Sequence, residues 1–319
     1  MGSRIVATAP IDSIAIEILE QVAPVQISPS TSAKTVTELL QDTIGLVCRG
    51  EGVVTRRMIE SAPDLRVIGR TGAGYDSIDV PAATQHGIPL VYAPVGGFAV
   101  AEGALALLLS LVKLLPQCDR IVKSGQWHTR YDLQTGDMAE HTLGIIGSGR
   151  IGSHLARLAL PFGMKVLGYD PYVEPEQLRS LGIEPSTLDE VLAGSDYVSI
   201  HVNLTEGSRG LINADRVARM KRGAILINTS RGGVVESLDV LADALESGQL
   251  SGVGLDVFPN EPPDSSHRIF QHPRCLCAPH LIGVSRLAMQ RIYRSMATDM
   301  VAVLQGRRPV YCVNTEIFA

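Results

Sequence analysis

The chain has 319 residues, 45% of them hydrophobic and 19% charged, with a formal net charge of −5 and a pI near 5.9. That length describes a globular chain of about two domains, and the acidic balance excludes an electrostatic case for nucleic acid or an anionic membrane surface, both of which select basic patches. Five scattered cysteines (Cys48, Cys118, Cys275, Cys277 and Cys312) do not make a disulfide framework and fit a reducing, cytoplasmic compartment.

The N-terminus, "MGSRIVATAPIDSIAI", lacks a basic region followed by an apolar run, so no signal peptide is expected, and Gly2 alone is weak ground for N-myristoylation. In chain order, "RIVATA", "VQIS", "IGLVCRG", "LRVIGRTG" and "PLVYAP" read as strands. Between them, "IDSIAIEILEQV", "AKTVTELLQ", "VTRRMIESA" and "VPAATQHG" read as helices or helical turns. Such alternation implies a parallel sheet with helices on its faces. After "APVGG" a long helical pattern runs from Phe98 to about Val122, then an irregular "SGQWHTRYDLQTGDMAEH". Its most apolar part, "ALALLLSLVKLLP", is too short to span a bilayer and carries Lys113, so it reads as a buried helix. A second alternating series follows, with "TLGIIG", "KVLGYD", "DYVSIHV", "AILINTS", "SGVGLDVF" and "CLCAPH" as strands. A last helical pattern, "RLAMQRIYRSMATDMVAVLQG", precedes "RRPVYCVN", whose Val310 and Tyr311 are expected to pack back on the first unit. The expected architecture is two doubly wound parallel α/β domains: residues 1–95 with 288–319, and an inserted domain over 96–287.

Within "HTLGIIGSGRIGSHLARLAL", Gly147, Gly149 and Gly152 form a Gly-x-Gly-x-x-Gly between a strand and a helix. In that setting the first glycine allows a tight turn, the second a close backbone approach to a pyrophosphate, and the third the packing of helix on strand. Asp170 ends the next strand, eighteen residues beyond Gly152, near the ~20-residue offset of an acid that binds ribose hydroxyls. A carboxylate there repels a 2′-phosphate and no arginine directly follows, so NAD is expected over NADP. The competing reading, a cluster of turn glycines with a surface aspartate, leaves that combination unexplained.

Three later stretches place polar residues at strand ends: "INTSRGG" with Arg231, "DVFPNEPP" with Asp256 and Glu261, and "APH" with His280. Ligands of doubly wound sheets sit at the carboxyl ends of strands. An arginine there can hold a substrate carboxylate and polarise the adjacent carbonyl. A histidine can exchange the proton of the developing alkoxide, and a neighbouring carboxylate fixes its tautomer. Each has an ordinary alternative, as a surface ion-pair partner, a solvated loop acid or a core histidine. "RCLCAPHLIGVSR" also raises a metal question, but no further Cys or His stands at zinc-site spacing. Its Cys-x-Cys alternation reads instead as a buried strand with both thiols on one face.

These stretches resemble the D-isomer-specific 2-hydroxyacid dehydrogenases, and within them the D-3-phosphoglycerate dehydrogenase and hydroxypyruvate or glyoxylate reductase branches. The resemblance runs from "IGLVCRG" through "VIGRTGAGYDSID", "VAEGALALLL", "LGIIGSGRIG", "INTSRGGVV" and "GLDVFPNEPP" to "APH" and "VYCVN". It implies a Rossmann NAD-binding domain inserted into a flavodoxin-like substrate domain, in a short form without a regulatory domain. It implies a catalytic triad at Arg231, Glu261 and His280. Cofactor contacts are implied at Arg150, Ile151, Asp170, Val202, Thr229 and Asp256 beside the three glycines. Substrate contacts are implied at Ala73 and Gly74, through backbone N–H groups of a Gly-rich nest, and at Arg49, for which a surface position is an equal alternative. Two departures bear on the substrate. "APVGGFAVAE", with Gly96 and Gly97, is more compact than in relatives, and Leu281 and Ile282 replace a small pair after His280, placing a bulky apolar side chain near the cleft, so that a narrowed or redirected pocket is expected.

The activity so implied is hydride transfer between a nicotinamide and a small D-2-hydroxy acid or its 2-oxo acid. The alternative is an NAD(H)-sensing corepressor-like interaction protein on the same fold. A homodimer through the nucleotide-binding domain is expected, with "APVGG" and Gly283 to Ser285 as hinges of closure.

Overall fold

The computed structural model describes residues 3–319; Gly2, the candidate acylation position, lies outside them. The chain divides into two compact units, one running through Gly96 and completed by Ser285–Ala319, the other Gly97–Val284.

The first unit holds β1 (Arg4–Ala7), β2 (Val25–Ile27), β3 (Thr43–Cys48), β4 (Val67–Arg70) and β5 (Leu90–Tyr92). They form a parallel sheet in the order β2-β1-β3-β4-β5, the flavodoxin-like winding. Its inner strands read as nearly continuous apolar runs because both faces are covered. One face packs Ile5, Val47 and Val67 with Met296 and Met300 of the last long helix, Arg286–Leu304. The other packs Val6, Leu46 and Ile68 with Met58 and Ile59. Gly69 lets the helix lie close, since a Cβ there would lie 2.3 Å from the Met300 sulfur and displace the methionine. Asp299 of the same helix accepts the Val310 and Tyr311 amides, so the terminal segment is tied to the unit that the sequence pattern points to.

The second unit holds β6 (Thr142–Ile146), β7 (Lys165–Tyr169), β8 (Glu184–Pro185), β9 (Tyr197–Ile200), β10 (Ala224–Asn228), β11 (Leu250–Leu255) and β12 (Cys275–Cys277). They form one parallel sheet in the order β12-β11-β10-β9-β6-β7-β8. From β6 the winding runs outward through β7 and β8 on one side and β9 to β12 on the other, so its direction switches between β6 and β9, the Rossmann arrangement.

Two local expectations change. The helix expected from Phe98 to about Val122 is two helices, Gly97–Val112 and Leu115–Lys123, bent by 59°. Leu114 sits at φ 53 between them and Pro116 opens the second, a position where proline's fixed φ and missing N–H are tolerated. Among the described residues no single helix is long and apolar enough to cross a membrane. β12 is a strand, as its alternation suggests, but it lies at the sheet edge, with Cys275 half-buried and Cys277 exposed rather than both in the core.

Candidate active site

The glycine loop lies between β6 and the helix Arg150–Ala159, beside the switch of the second sheet. Gly147 has φ +93, and a Cβ on it would lie 2.8 Å from the His201 carbonyl carbon; a Cβ on Gly152 would lie 2.2 Å from the Gly147 carbonyl oxygen. Loop, helix and β9 end therefore pack backbone against backbone. Gly149 differs: a Cβ there meets nothing within 4 Å. Helices such as Leu188–Gly194 and Arg286–Leu304 open on a Thr187 or Ser285 side chain that accepts a first-turn N–H, whereas Arg150–Ala159 opens on Gly149 with no side-chain cap. Its first amides and the positive end of its dipole are left to an anion. The buried Ser148 hydroxyl has no hydrogen-bond partner among the described residues. Asp170 follows β7, and its Oδ2 accepts the Ser148 amide at 2.8 Å while Oδ1 accepts that of Tyr172 at 3.0 Å. These bonds fix the carboxylate beside the loop and leave each oxygen a lone pair for a ribose hydroxyl. The open space at Gly149, the uncapped helix and the oriented acid fit a dinucleotide.

His201 and Val202 follow β9, and Thr229, Ser230 and Arg231 follow β10. Burial pushes the His201 imidazole down to about 3. Its ring lies between the Ser199 hydroxyl, 2.9 Å from Nε2, and the Thr229 hydroxyl, 3.5 Å from Nδ1. Asn228, 1% exposed, shapes the next turn: its Oδ1 accepts the Ser230 amide and hydroxyl and its Nδ2 donates to the Arg231 carbonyl. The Arg231 guanidinium donates to the Ser230 carbonyl at 2.8 Å. At Gly232 a Cβ would lie 1.9 Å from the Phe258 carbonyl carbon. Only glycine lets the Arg231 turn press against the backbone that carries Glu261.

Glu261 bridges that backbone to the histidine. Its Oε1 accepts the Phe258 amide at 3.0 Å and its Oε2 meets His280 Nδ1 at 2.7 Å. With Nδ1–H donating to the carboxylate, Nε2 is the nitrogen left for proton exchange with a ligand. His280 has φ +54, a left-handed conformation that costs about 1–2 kcal/mol in a non-glycine residue. Asp256 sustains it. This buried carboxylate, 3% exposed, accepts the amides of Leu281 at 3.0 Å and Ile282 at 3.2 Å and so clamps the turn just past His280. Burial raises the Asp256 carboxyl against those two amides. Asp256, expected as a cofactor contact, thus has a structural partner in the histidine turn.

Ile282 is half-buried. It packs on the core of its own unit over Gly103, where a Cβ would lie 2.1 Å from its Cγ1. The bulky apolar side chain left exposed beside His280 is Leu281, at 56%.

In the first unit the sheet switches direction between β1 and β3, and the residues that follow them are Thr8 and Arg49. The Arg49 amide donates to the Thr8 hydroxyl at 3.0 Å, and its guanidinium donates to the Pro10 carbonyl. The turn after β4 carries Ala73 and Gly74, with Gly72 at φ +137. Its stay is Arg70, which sequence reasoning passed over: Nε donates to the Gly74 carbonyl at 2.7 Å and Nη1 to the Gly50 carbonyl at 2.8 Å. Arg70 stands at the end of β4 directly before "TGAG", and that placement was the available signal. Asn228 and Gly232 were passed over as well, since their work shows only in contacts across loops.

The family model for the D-isomer specific 2-hydroxyacid dehydrogenase, NAD binding domain, matches residues 105–281. D-3-phosphoglycerate dehydrogenase of Synechocystis is 34% identical over 313 residues, which are 98% of this chain and 56% of that protein. A glyoxylate reductase from Paecilomyes thermophila superposes with a TM-score of 0.89 at 27% identity, covering 99% of both chains. D-lactate dehydrogenase from Aquifex aeolicus, complexed with NAD and lactic acid, superposes with a TM-score of 0.86 at 29% identity, covering 99% of this chain and 97% of that one. The chain spans a little over half the length of the curated relatives it matches. With the loop, the acid and the strand-end residues in these places, the chain belongs to the D-isomer-specific 2-hydroxyacid dehydrogenase family, and residues 105–281 are its NAD-binding domain.

Proposed function

We propose that the chain interconverts a small D-2-hydroxy acid and its 2-oxo acid, with NAD as the redox partner. The contact that carries this reading is His280 Nδ1 on Glu261 Oε2 at 2.7 Å, in a domain built for NAD. Bound NADH supplies hydride to the substrate's C2, and NAD accepts it in the reverse direction. His280 gives a proton from Nε2 to the substrate oxygen in reduction and takes it back in oxidation. Glu261 holds the ring's tautomer and stabilises the charged ring. Arg231 binds the carboxylate and polarises the carbonyl. In the first unit, the Ala73 and Gly74 amides, in a turn braced by Arg70, are suited to a substrate carboxylate, with Arg49 as a further cation. Gly147, Gly149, Arg150, Ile151, Gly152, Asp170, Val202 and Thr229 bind the dinucleotide, with Asp170 on the ribose favouring NADH over NADPH.

The corepressor reading has less support, because the relatives and structures named above are dehydrogenases and a reductase. We also read the chain as a cytoplasmic homodimer. Val122, Trp127 and Tyr131 of the second unit are exposed, and Arg130 stacks over Trp127 and Tyr131, a surface suited to a second copy. A monomeric mass in light scattering at micromolar concentration would refute the dimer.

The test of the catalytic reading is initial rates with glyoxylate, hydroxypyruvate, pyruvate, phosphohydroxypyruvate and bulkier apolar 2-oxo acids, with NADH and NADPH. His280→Asn and Arg231→Ala are expected to bind NADH as the parent does and to lose about 10²–10⁴-fold in turnover. Full turnover in both variants would overturn the roles given to them, and a preference for NADPH would overturn that of Asp170.

A further inference from the structure

Two thiols stand side by side three and five residues before His280, and the chemistry proposed above uses neither. Cys275 and Cys277 share one face of β12, with their sulfurs 3.6 Å apart. Leu276 packs into the core on the opposite face. β12 is an edge strand, paired with β11 alone, and Cys277 is exposed while Cys275 is half-buried. The hydrogen bond from the Cys275 thiol lowers Cys277 and raises Cys275, so Cys277 is the member that ionises. Among the described residues no group of three or more His, Cys, Asp or Glu side chains is arranged to hold a metal ion. What the pair offers is thiol chemistry.

We propose that Cys275 and Cys277 are a thiol–disulfide exchange site for small disulfides of the glutathione type. The exposed Cys277 thiolate attacks one sulfur of the small disulfide, breaks its S–S bond and releases one thiolate. Cys275 then passes its proton to that thiolate and attacks Cys277 Sγ in the mixed disulfide, expelling the second thiolate, which takes a proton from solvent. Two protein thiols lose two electrons, and the small disulfide is reduced to two thiols. The bond so formed is easily reversed. Strand geometry sets the two Cα atoms ~6.6 Å apart, within the roughly 4.4–6.8 Å that disulfides span but beyond their preferred ~5.5–6 Å, so the bond draws β12 in as it forms. Strained, exposed disulfides are the labile kind, and a strand with one neighbour can give way.

The shortening has a direct path to the histidine. Cys277 pairs with Leu255, the Ala278 amide donates to the Leu255 carbonyl at 2.8 Å, and Asp256, the next residue, clamps Leu281 and Ile282. Oxidation therefore strains the turn that presents His280, a consequence that rests on the role proposed for that residue.

The full chain is incubated with oxidised glutathione and digested without reductant, and the peptide 275–286 is weighed alongside turnover. The expected result is a peptide lighter by two hydrogens, restored by dithiothreitol, with turnover falling and recovering in step. Cys277→Ser and Cys275→Ser are expected to keep parental turnover in both states. Glutathione remaining on Cys277, or thiols left unchanged, would overturn the exchange site. An internal disulfide with unchanged turnover would overturn its reach to His280. Because the mass reads the thiols directly, a chain inactive toward every 2-oxo acid would still decide the first point.

Discussion

The two units each end a parallel strand in a glycine-bearing turn, and the two turns are built on different principles. Gly147–Gly152 runs from β6 straight into the ten-residue helix Arg150–Ala159 and is held by backbone packing, Gly152 against the Gly147 carbonyl and Gly147 against His201. The turn after β4 has no helix behind it until Val80. Backbone bonds from Thr71 to the Cys48 carbonyl and from Ala93 to the Gly72 carbonyl anchor its start, and its far side is braced by a side chain, Arg70, which bonds the carbonyls of Gly74 and Gly50. The first presents amides backed by a helix dipole and spread along a loop, which suits the two phosphates of a dinucleotide. The second presents a short nest whose shape depends on a guanidinium clamp, which suits one carboxylate. The same backbone chemistry thus becomes two sites according to what lies behind it, helix or arginine.

The comparison can be broken in four ways, beginning with acid. His201 supports the glycine loop, and burial pushes its imidazole from the ordinary 6.5 down to about 3. A depressed folded value means that protonation favours the unfolded chain. The contribution is present above pH 6.5 and is lost as pH falls toward 3, on the order of 3–5 kcal/mol in all. Urea unfolding of parent and His201→Gln between pH 7.5 and 3.5 checks this, with the variant expected to lose the steep part of the slope. Next comes Gly152→Ala, whose methyl meets a carbonyl oxygen that cannot move without the loop. A loss of about 1–3 kcal/mol in thermal stability is expected, together with NADH affinity.

Arg70→Ala acts on the other turn. We expect the KM for the 2-oxo acid to rise about tenfold, for two lost charged hydrogen bonds partly replaced by water, with NADH binding unchanged. A fall in NADH affinity at constant KM would reverse the assignment of turns to ligands. The smallest effect on the fold is that of Gly149→Ala, which fills open space and leaves stability within about 0.5 kcal/mol. It should nonetheless weaken NADH binding in calorimetry, because the cofactor needs that space. Equal affinity would place the cofactor elsewhere.

That each unit is a parallel sheet covered by helices was legible in the sequence, because apolar strand runs alternate with amphipathic helices; the Rossmann and flavodoxin-like windings were what the family resemblance implied. The glycine loop was legible for the same local reason: strand, turn, helix and acid follow one another within a short stretch. The break at Leu114 was not, because an apolar helical pattern continues across it and only the Pro116 ring marks the place. What Ile282 packs against was not legible either, because Gly103, which makes room for it, lies far away in the chain.

The amino-acid order by itself determined most of the strands and helices, their parallel α/β layering and where the polar residues fall at strand ends, since these follow from periodicity and steric rules within a few residues. Tertiary structure alone decided how those ends become a site. Gly232 against Phe258, Glu261 against His280, Asp256 under Leu281 and Ile282, and Arg70 across to Gly50 are contacts between segments distant in the chain. No local pattern records them, because a glycine's need for space or a carboxylate's partner is defined by what the folded chain brings against it.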